Sequence, residues 1–195
     1  FTDREIEKAK NGEEARILVK CNSFTDKEII ERFIDASRAG VQIRLVIRGI
    51  CCLTPRIPGM TENIRIVSIV GRFLEHSRIY AFGVGEDTKV FIASGDMMTR
   101  NTERRVEVAC PIYDRRIRQR LLDMMDLLLR DNVKAREQFA DGRYVLRTPL
   151  NDPPLNAQET FMQQAKEPPE TFEWEPVKSD GKKKRRLFGW FGKKK

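Results

Sequence analysis

Arg16-Ile17-Leu18-Val19-Lys20-Cys21 and Val41-Gln42-Ile43-Arg44-Leu45-Val46-Ile47 are two apolar, β-branched runs, and what separates them decides the fold. Asn22-Ser23 turns the chain, and Thr25 with Glu28 three positions later has the form of a capping box. Ile29, Ile30, Phe33, Ile34 and Ser37 then keep helical spacing until Gly40 supplies a stop. Strand, helix and strand in so short a stretch make a βαβ unit, which implies a parallel pair of strands in an α/β sheet.

Working outward, residues 64–70, 78–82, 89–94 and 105–110 read as further strands, after a loop at 54–63 that carries Pro55, Pro58 and Gly59. The turn-rich run Phe82-Gly83-Val84-Gly85-Glu86-Asp87 predicts a hairpin, so antiparallel strands join the parallel core and the sheet is mixed. Residues 114–136 predict one long helix, with Ile117, Leu121, Met124, Met125 and Leu128 along its apolar face. The methionine pair there is core filling. A charged helix at 3–10 opens the chain without an initiator methionine, which points to a piece of a longer protein. Beyond residue 147 the character changes. Pro149, Pro153, Pro154, Pro168, Pro169 and Pro176 predict an extended, disordered linker over 148–177, and a basic, aromatic tail follows over 178–195.

The formal net charge is +8, and the tail accounts for it: residues 178–195 hold nine basic residues and one acidic, leaving 28 of each sign in the other 177. The body is therefore not a generically basic nucleic-acid binder. Leu187-Phe188-Gly189-Trp190-Phe191 between two basic clusters suits an anionic membrane surface or a polyanion, although a solvated tail without a partner has the same composition. No apolar run approaches the roughly 20 residues of a membrane span, and no signal-peptide pattern is present. Cys21, Cys51, Cys52 and Cys110 lack the paired spacing of a zinc site and read as buried free thiols.

Three clusters carry chemistry. Arg48 directly follows the second strand, at the carboxyl end of a parallel pair, where ligands of open α/β sheets collect. His76 is the only histidine, bracketed by Arg72 and Arg78. Ser94-Gly95-Asp96 leads into Arg100-Asn101, with Arg104, Arg105 and Glu107 beyond. By residue type alone, a lone histidine is more often a surface or capping residue than a catalyst. Together, however, the clusters supply an acid–base group, cationic charge, and a carboxylate that could orient the imidazole. Phosphoryl transfer needs mainly positioning and charge neutralisation, so it suits them better than acyl transfer. No glycine-rich loop ending in Gly-Lys occurs, which excludes nucleotide binding by a P-loop.

Several strings, in order, resemble the last catalytic domain of bacterial polyphosphate kinases over residues 1–147. They are Asn22-Ser23, Ile47-Arg48-Gly49-Ile50-Cys51-Cys52-Leu53, Glu62-Asn63-Ile64-Arg65, Ser68 through Arg78, Asp96-Met97-Met98-Thr99-Arg100-Asn101 and Arg104-Arg105-Val106-Glu107-Val108. The resemblance implies a phospholipase-D-like α/β/α sandwich with a mixed sheet. It also implies an enzyme that reversibly transfers the terminal phosphate of ATP to inorganic polyphosphate with Mg2+. Two domains of that family share the site, and the histidine that becomes phosphorylated belongs to the preceding domain; nothing here matches it.

His76 then takes the supporting role, contacting nucleotide phosphates and donating a proton at the phosphohistidine, and Arg48 matches the family's ATP-binding arginine. Arg48, Arg72, Arg78 and Arg100 would neutralise the triphosphate or polyphosphate, and Asp96 would fix the imidazole. No metal ligand is assigned in this chain, and those for Mg2+ are expected largely upstream. His76-Ser77-Arg78 departs from the His-x-Lys element of phospholipase-D-like sites in having arginine as its third residue.

The implied partners are ATP or ADP, inorganic polyphosphate, upstream domains of the same polypeptide and further copies in a homo-oligomer. The implied location is cytoplasmic, with the 182–195 tail able to touch the inner face of the membrane. Such a chain alone would be inactive as a kinase. Two other readings have different consequences: a non-catalytic polyanion- or membrane-binding module acting through the tail, and half of a phospholipase-D-like phosphodiesterase.

Overall fold

The computed structural model describes residues 1–167. At its centre the predicted βαβ unit forms: β1 (Arg16–Cys21), α2 (Lys27–Arg38) and β2 (Gln42–Ile47), preceded by α1 (Thr2–Lys10). β1 and β2 pair in parallel with Val19 opposite Leu45, and β3 (Ile64–Ile69) adds in parallel to β2. β4 (Ile79–Phe82) runs antiparallel to β1 and turns through the expected hairpin into β5 (Lys89–Ala93). The short helix α3 (Thr99–Glu103), β6 (Ala109–Pro111), α4 (Arg115–Arg130), β7 (Ala135–Gln138), β8 (Tyr144–Leu146) and α5 (Ala157–Gln164) complete the order. The eight strands form one mixed sheet, β6-β5-β4-β1-β2-β3-β7-β8.

Strand alternation sends side chains to two cores. Ile17, Val19, Ile43, Leu45, Ile64 and Ile66 meet Phe33 of α2 and Ile6 of α1 on one face. Leu18, Val46, Val67, Ile69, Ile79 and Ala81 meet Met125 and Leu128 of α4 and Ala157 of α5 on the other. Helices on both faces of a mixed sheet make the expected α/β/α sandwich. Because β1, β2 and β3 are parallel and β4 is antiparallel to them, the ends of the first three and the start of β4 share one edge.

Several expectations are corrected. α2 is capped one position later than predicted: the Asp26 carboxylate, not Thr25, accepts from the Ile29 amide at 3.1 Å. The strand expected at 105–110 is confined to Ala109–Pro111. Cys21 is buried, but Cys52 and Cys110 are exposed.

The long helix stops at Arg130 because Asp131, completely buried, turns its carboxylate on the backbone that follows. Its Oδ1 accepts the amides of Val133, Lys134 and Ala135 at 3.0, 2.7 and 3.0 Å. A side chain that captures local amides competes with the helix for them, and the freed chain becomes β7 and β8. The same carboxylate accepts the Ala157 amide through Oδ2 at 2.8 Å, while Asn132 bonds Leu155 and Pro153. Residues 153–158 are thereby tied down and α5 forms within the stretch read as a disordered linker. Residues 168–177 of that stretch, and the whole of the 178–195 tail, lie outside the described residues.

Asp131→Ala removes one carboxylate that serves four amides. It should lower the unfolding free energy by about 2–4 kcal/mol, since hydrogen bonds to charged groups are worth about 1.5–3 kcal/mol each and act here as a set. Urea denaturation measures it, and a loss below about 0.5 kcal/mol, the level of an ordinary surface substitution, would contradict the assigned role.

Candidate functional site

The site lies at the shared edge of β1, β2, β3 and β4. Asn22 is the first residue after β1 and is buried. Its amide donates to Asp96 Oδ1 at 2.7 Å, and its side-chain Nδ2 donates to Asp96 Oδ1 and Oδ2 at 3.1 and 3.3 Å. Asn22 Oδ1 in turn accepts Arg48 Nε at 2.8 Å. Arg48 leaves the end of β2 and also gives Nε to the Glu75 carbonyl at 3.0 Å. Its terminal nitrogens have no hydrogen-bond partner among the described residues, so a guanidinium anchored at one point keeps a two-pronged face open.

The approach of β1 and β2 that allows this needs Gly49. The Gly49 amide donates to the Asn22 carbonyl at 2.8 Å, and a Cβ on Gly49 would stand 2.7 Å from that oxygen.

Arg78 is spent inside the protein. Nε and Nη2 grip the two oxygens of Asp96 at 3.1 and 3.3 Å, and Nη1 donates to the His76 carbonyl at 3.0 Å. Only 14% of its side chain is exposed. Nη1 also stands 3.1 Å from His76 Nδ1. An arginine only donates, so Nδ1 accepts and the neutral ring carries its proton on Nε2. His76 is exposed, so that proton is offered to whatever occupies the edge.

Asp96 was expected to fix the imidazole and does not touch it directly: it holds Arg78, and Arg78 holds His76. Arg78 correspondingly has each of its three nitrogens bonded inside the protein. Arg72 and Arg100 are exposed, Arg72 lying 5.5 Å from the Phe73 ring, and neither hydrogen-bonds into the network.

Burial alone would push the Asp96 carboxyl up, but the hydrogen bonds from Arg78 and Asn22 outweigh it and hold the group below the usual carboxylate range. Beside it, burial pushes the Cys21 thiol up to about 12 and Cys51 to about 11, which leaves neither as a thiolate nucleophile at neutral pH. Ser94 and Asn101 each donate to Glu107 at 2.5 Å, closing the 94–101 segment onto the irregular stretch before β6 and holding that carboxyl low. Three carboxylates at this edge are thus engaged: Asp96 by Asn22 and Arg78, Glu107 by Ser94 and Asn101, Glu75 by Lys20 and Gln158. No group of three His, Cys, Asp or Glu side chains suited to a metal ion occurs among the described residues. The described residues do not by themselves form a magnesium site.

A groove of 880 Å³ lies elsewhere, beneath α4 at the amino ends of β1 and β2. Its arginines, among them Arg16 and Arg44, are nearly balanced by Glu14, Glu86, Asp123 and Asp126, so it offers a polyanion little net charge.

Sequence reasoning singled out Arg48, His76, Arg78 and Asp96, and the fold brings these four together. It missed the roles of Asn22, Lys20, Glu75 and Gln158. Asn22 carried a usable signal, since it follows β1 as Arg48 follows β2. No helix of the described residues is long and apolar enough to cross a membrane.

The chain is 50% identical to a polyphosphate kinase of Halalkalibacterium halodurans over 165 residues, 84% of this chain and 23% of that protein. It is 51% identical to a polyphosphate kinase of Staphylococcus haemolyticus over 163 residues, 84% of this chain and 22% of that one. It thus spans roughly a quarter of the curated relatives it matches. Among solved structures, the polyphosphate kinase from Porphyromonas gingivalis superimposes with a TM-score of 0.81 at 39% identity, covering 85% of this chain and 25% of that one. Residues 1–158 match the family described as polyphosphate kinase C-terminal domain 2, and the chain belongs to that family.

Proposed function

We propose that this domain supplies one half of a phosphotransfer site: it binds the phosphates of ATP or ADP and of inorganic polyphosphate, and an upstream domain contributes the histidine that carries the phosphoryl group. The observation that carries this reading is the pairing of Arg48, anchored through Nε with its terminal nitrogens open, with His76, whose Nε2 proton faces outward. Arginine forks match phosphate oxygens in geometry as well as charge. An Nε2–H held by a fixed Nδ1 contact can donate a hydrogen bond to a phosphoryl oxygen or to the phosphohistidine nitrogen as the bond to phosphorus breaks; the ring can hand over a proton there only from its imidazolium form, in which a proton replaces the Arg78 contact at Nδ1, and the ring then returns to neutral. Arg72 and Arg100, exposed and uncommitted to the network, add mobile positive charge along the path of a polyanion. The reaction is the reversible transfer of the terminal phosphate of ATP to polyphosphate, with Mg2+ held largely by residues outside this chain. The intact protein works in the cytoplasm, its upstream domains close the site, and it assembles as a homo-oligomer.

In the full-length enzyme, His76→Ala and Arg48→Ala should each lower the rate of polyphosphate synthesis by about 10²–10³-fold, the loss typical of removing one preorganised donor from a transition state. Thermal melting should show the fold intact, and full activity in either variant would sink the assignment. The 195-residue chain alone should transfer no phosphate from ATP to polyphosphate, so turnover by the pure chain would show that the site is complete without the upstream domains.

The Asp96 network also has an acid limit. Because its folded carboxyl is held low, its contribution to stability is present above the ordinary carboxylate pKa of about 3.9 and is lost as pH falls through the lower folded value. Asp96→Asn should therefore be less stable than the parent chain at pH 7, and the gap should narrow below about pH 4. An equal gap at pH 7 and pH 3 in urea denaturation would contradict the pairing.

A further inference from the structure

The segment that carries His76, residues 70–78, has no regular secondary structure, and apolar packing does not hold it: Phe73 is 47% and Leu74 70% exposed. It is held by polar contacts from three elements. Gln158 of α5 is buried, and its carboxamide pairs in both directions with one backbone residue: Oε1 accepts the Phe73 amide at 3.0 Å and Nε2 donates to the Phe73 carbonyl at 2.9 Å. Nε2 also donates to Glu75 Oε1 at 2.8 Å. The other oxygen of Glu75 lies 3.2 Å from Lys20 Nζ, and Lys20 donates to the Ser77 carbonyl at 3.2 Å. Arg48 closes the set on the Glu75 carbonyl. A Cβ on Gly71 would run into the Gln158 carboxamide, so the close seating of α5 on the segment needs that glycine.

Lys20 is 1% exposed on a strand face otherwise given to Leu18 and Val46. Burial draws its ammonium below the usual lysine range, against the opposing pull of Glu75. A buried ion pair is a poor source of net stability compared with apolar side chains of similar volume. What it does supply is fixed geometry for the two groups it joins, and here those groups lead directly to His76 and Arg48.

We infer that Gln158, Glu75 and Lys20 are positioning residues that clamp the 73–77 segment, so that helix α5 is a working part of the phosphate site. Only a carboxamide both donates and accepts at the Phe73 backbone, so neither a leucine nor a glutamate can replace it. The functional half of this inference rests on the phosphate-binding role of Arg48 and His76 proposed above; the clamping half does not.

The test uses the full 195-residue chain with amide hydrogen exchange, the ring 15N signals of His76, and titration with inorganic tripolyphosphate. In Gln158→Leu, and independently in Gly71→Ala, exchange at residues 73–77 should rise about tenfold or more, as expected when a segment opens locally. The amides of Val19 and Leu45 should stay protected, which separates local release from global unfolding. The His76 ring should lose its single Nε2–H tautomer, and tripolyphosphate affinity should fall severalfold. Unchanged exchange at 73–77 in both variants would overturn the clamp. Raised exchange with unchanged affinity, while His76→Ala weakens binding, would overturn positioning and leave the phosphate site standing. If Arg48→Ala and His76→Ala themselves leave affinity unchanged, the phosphate site fails, and the exchange result alone then upholds or overturns the clamp.

Discussion

A carboxylate taken out of water must find partners, and the arrangement of this edge follows from the partners Asp96 finds. Its side chain is 8% exposed. It collects two donors from Asn22 and a two-point fork from Arg78. Those contacts join the end of β1, the start of β4 and the loop after β5, three places far apart in sequence. They also set polarity: with Asp96 answering Arg78, the positive charge left open at the edge belongs to Arg48 and, farther out, to Arg72 and Arg100. The body of the domain is neutral overall, so any attraction for an anion has to come from where charge is left unanswered.

The same economy gives Arg78 work that a lysine could not do. A lysine offers one charged nitrogen; arginine reaches Asp96 with two nitrogens and still has a third for the His76 carbonyl. The guanidinium fixes the imidazole through main chain and ring together, and its donor-only character selects the tautomer with Nε2–H facing out. A site so built offers a fixed Nε2–H as a hydrogen-bond donor. Its Asp96 and Glu107 carboxylates are taken up by hydrogen bonds within the domain.

Much of the fold was legible in the sequence because its central unit obeys simple periods. β1, α2 and β2 alternate or repeat as their neighbours demand, and Gly40 ends the helix where it should. β7 was not legible: Ala135-Arg136-Glu137-Gln138 is polar, and Glu137 is held by ion pairs with Arg56 and Arg147 rather than by an apolar face. The end of α4 was hidden for a related reason, since Asp131 breaks the helix only because burial forces its carboxylate onto nearby amides. α5 lies among prolines that read as linker, and its docking depends on Asp131 and Asn132, which no local pattern connects to it. In the site, Arg48, His76 and Asp96 were visible as residue types in suitable places. The order of contact, Asp96 to Arg78 to His76, was not, because it is set by tertiary distances. Gln158 carries no local mark at all; its role exists only once α5 is folded against the segment before β4.

The central claim is that Arg48 and His76 form a phosphate-binding face that exists in this chain by itself. An NMR titration of the 195-residue chain with inorganic tripolyphosphate, following the Arg48 side-chain Nε–H and the His76 ring nitrogens, tests it most directly. The account predicts that both signals shift along one saturable curve and that the arginines of the groove beneath α4 stay unmoved. Saturable binding that leaves Arg48 and His76 unchanged, or that moves Arg16 and Arg44 instead, would contradict it.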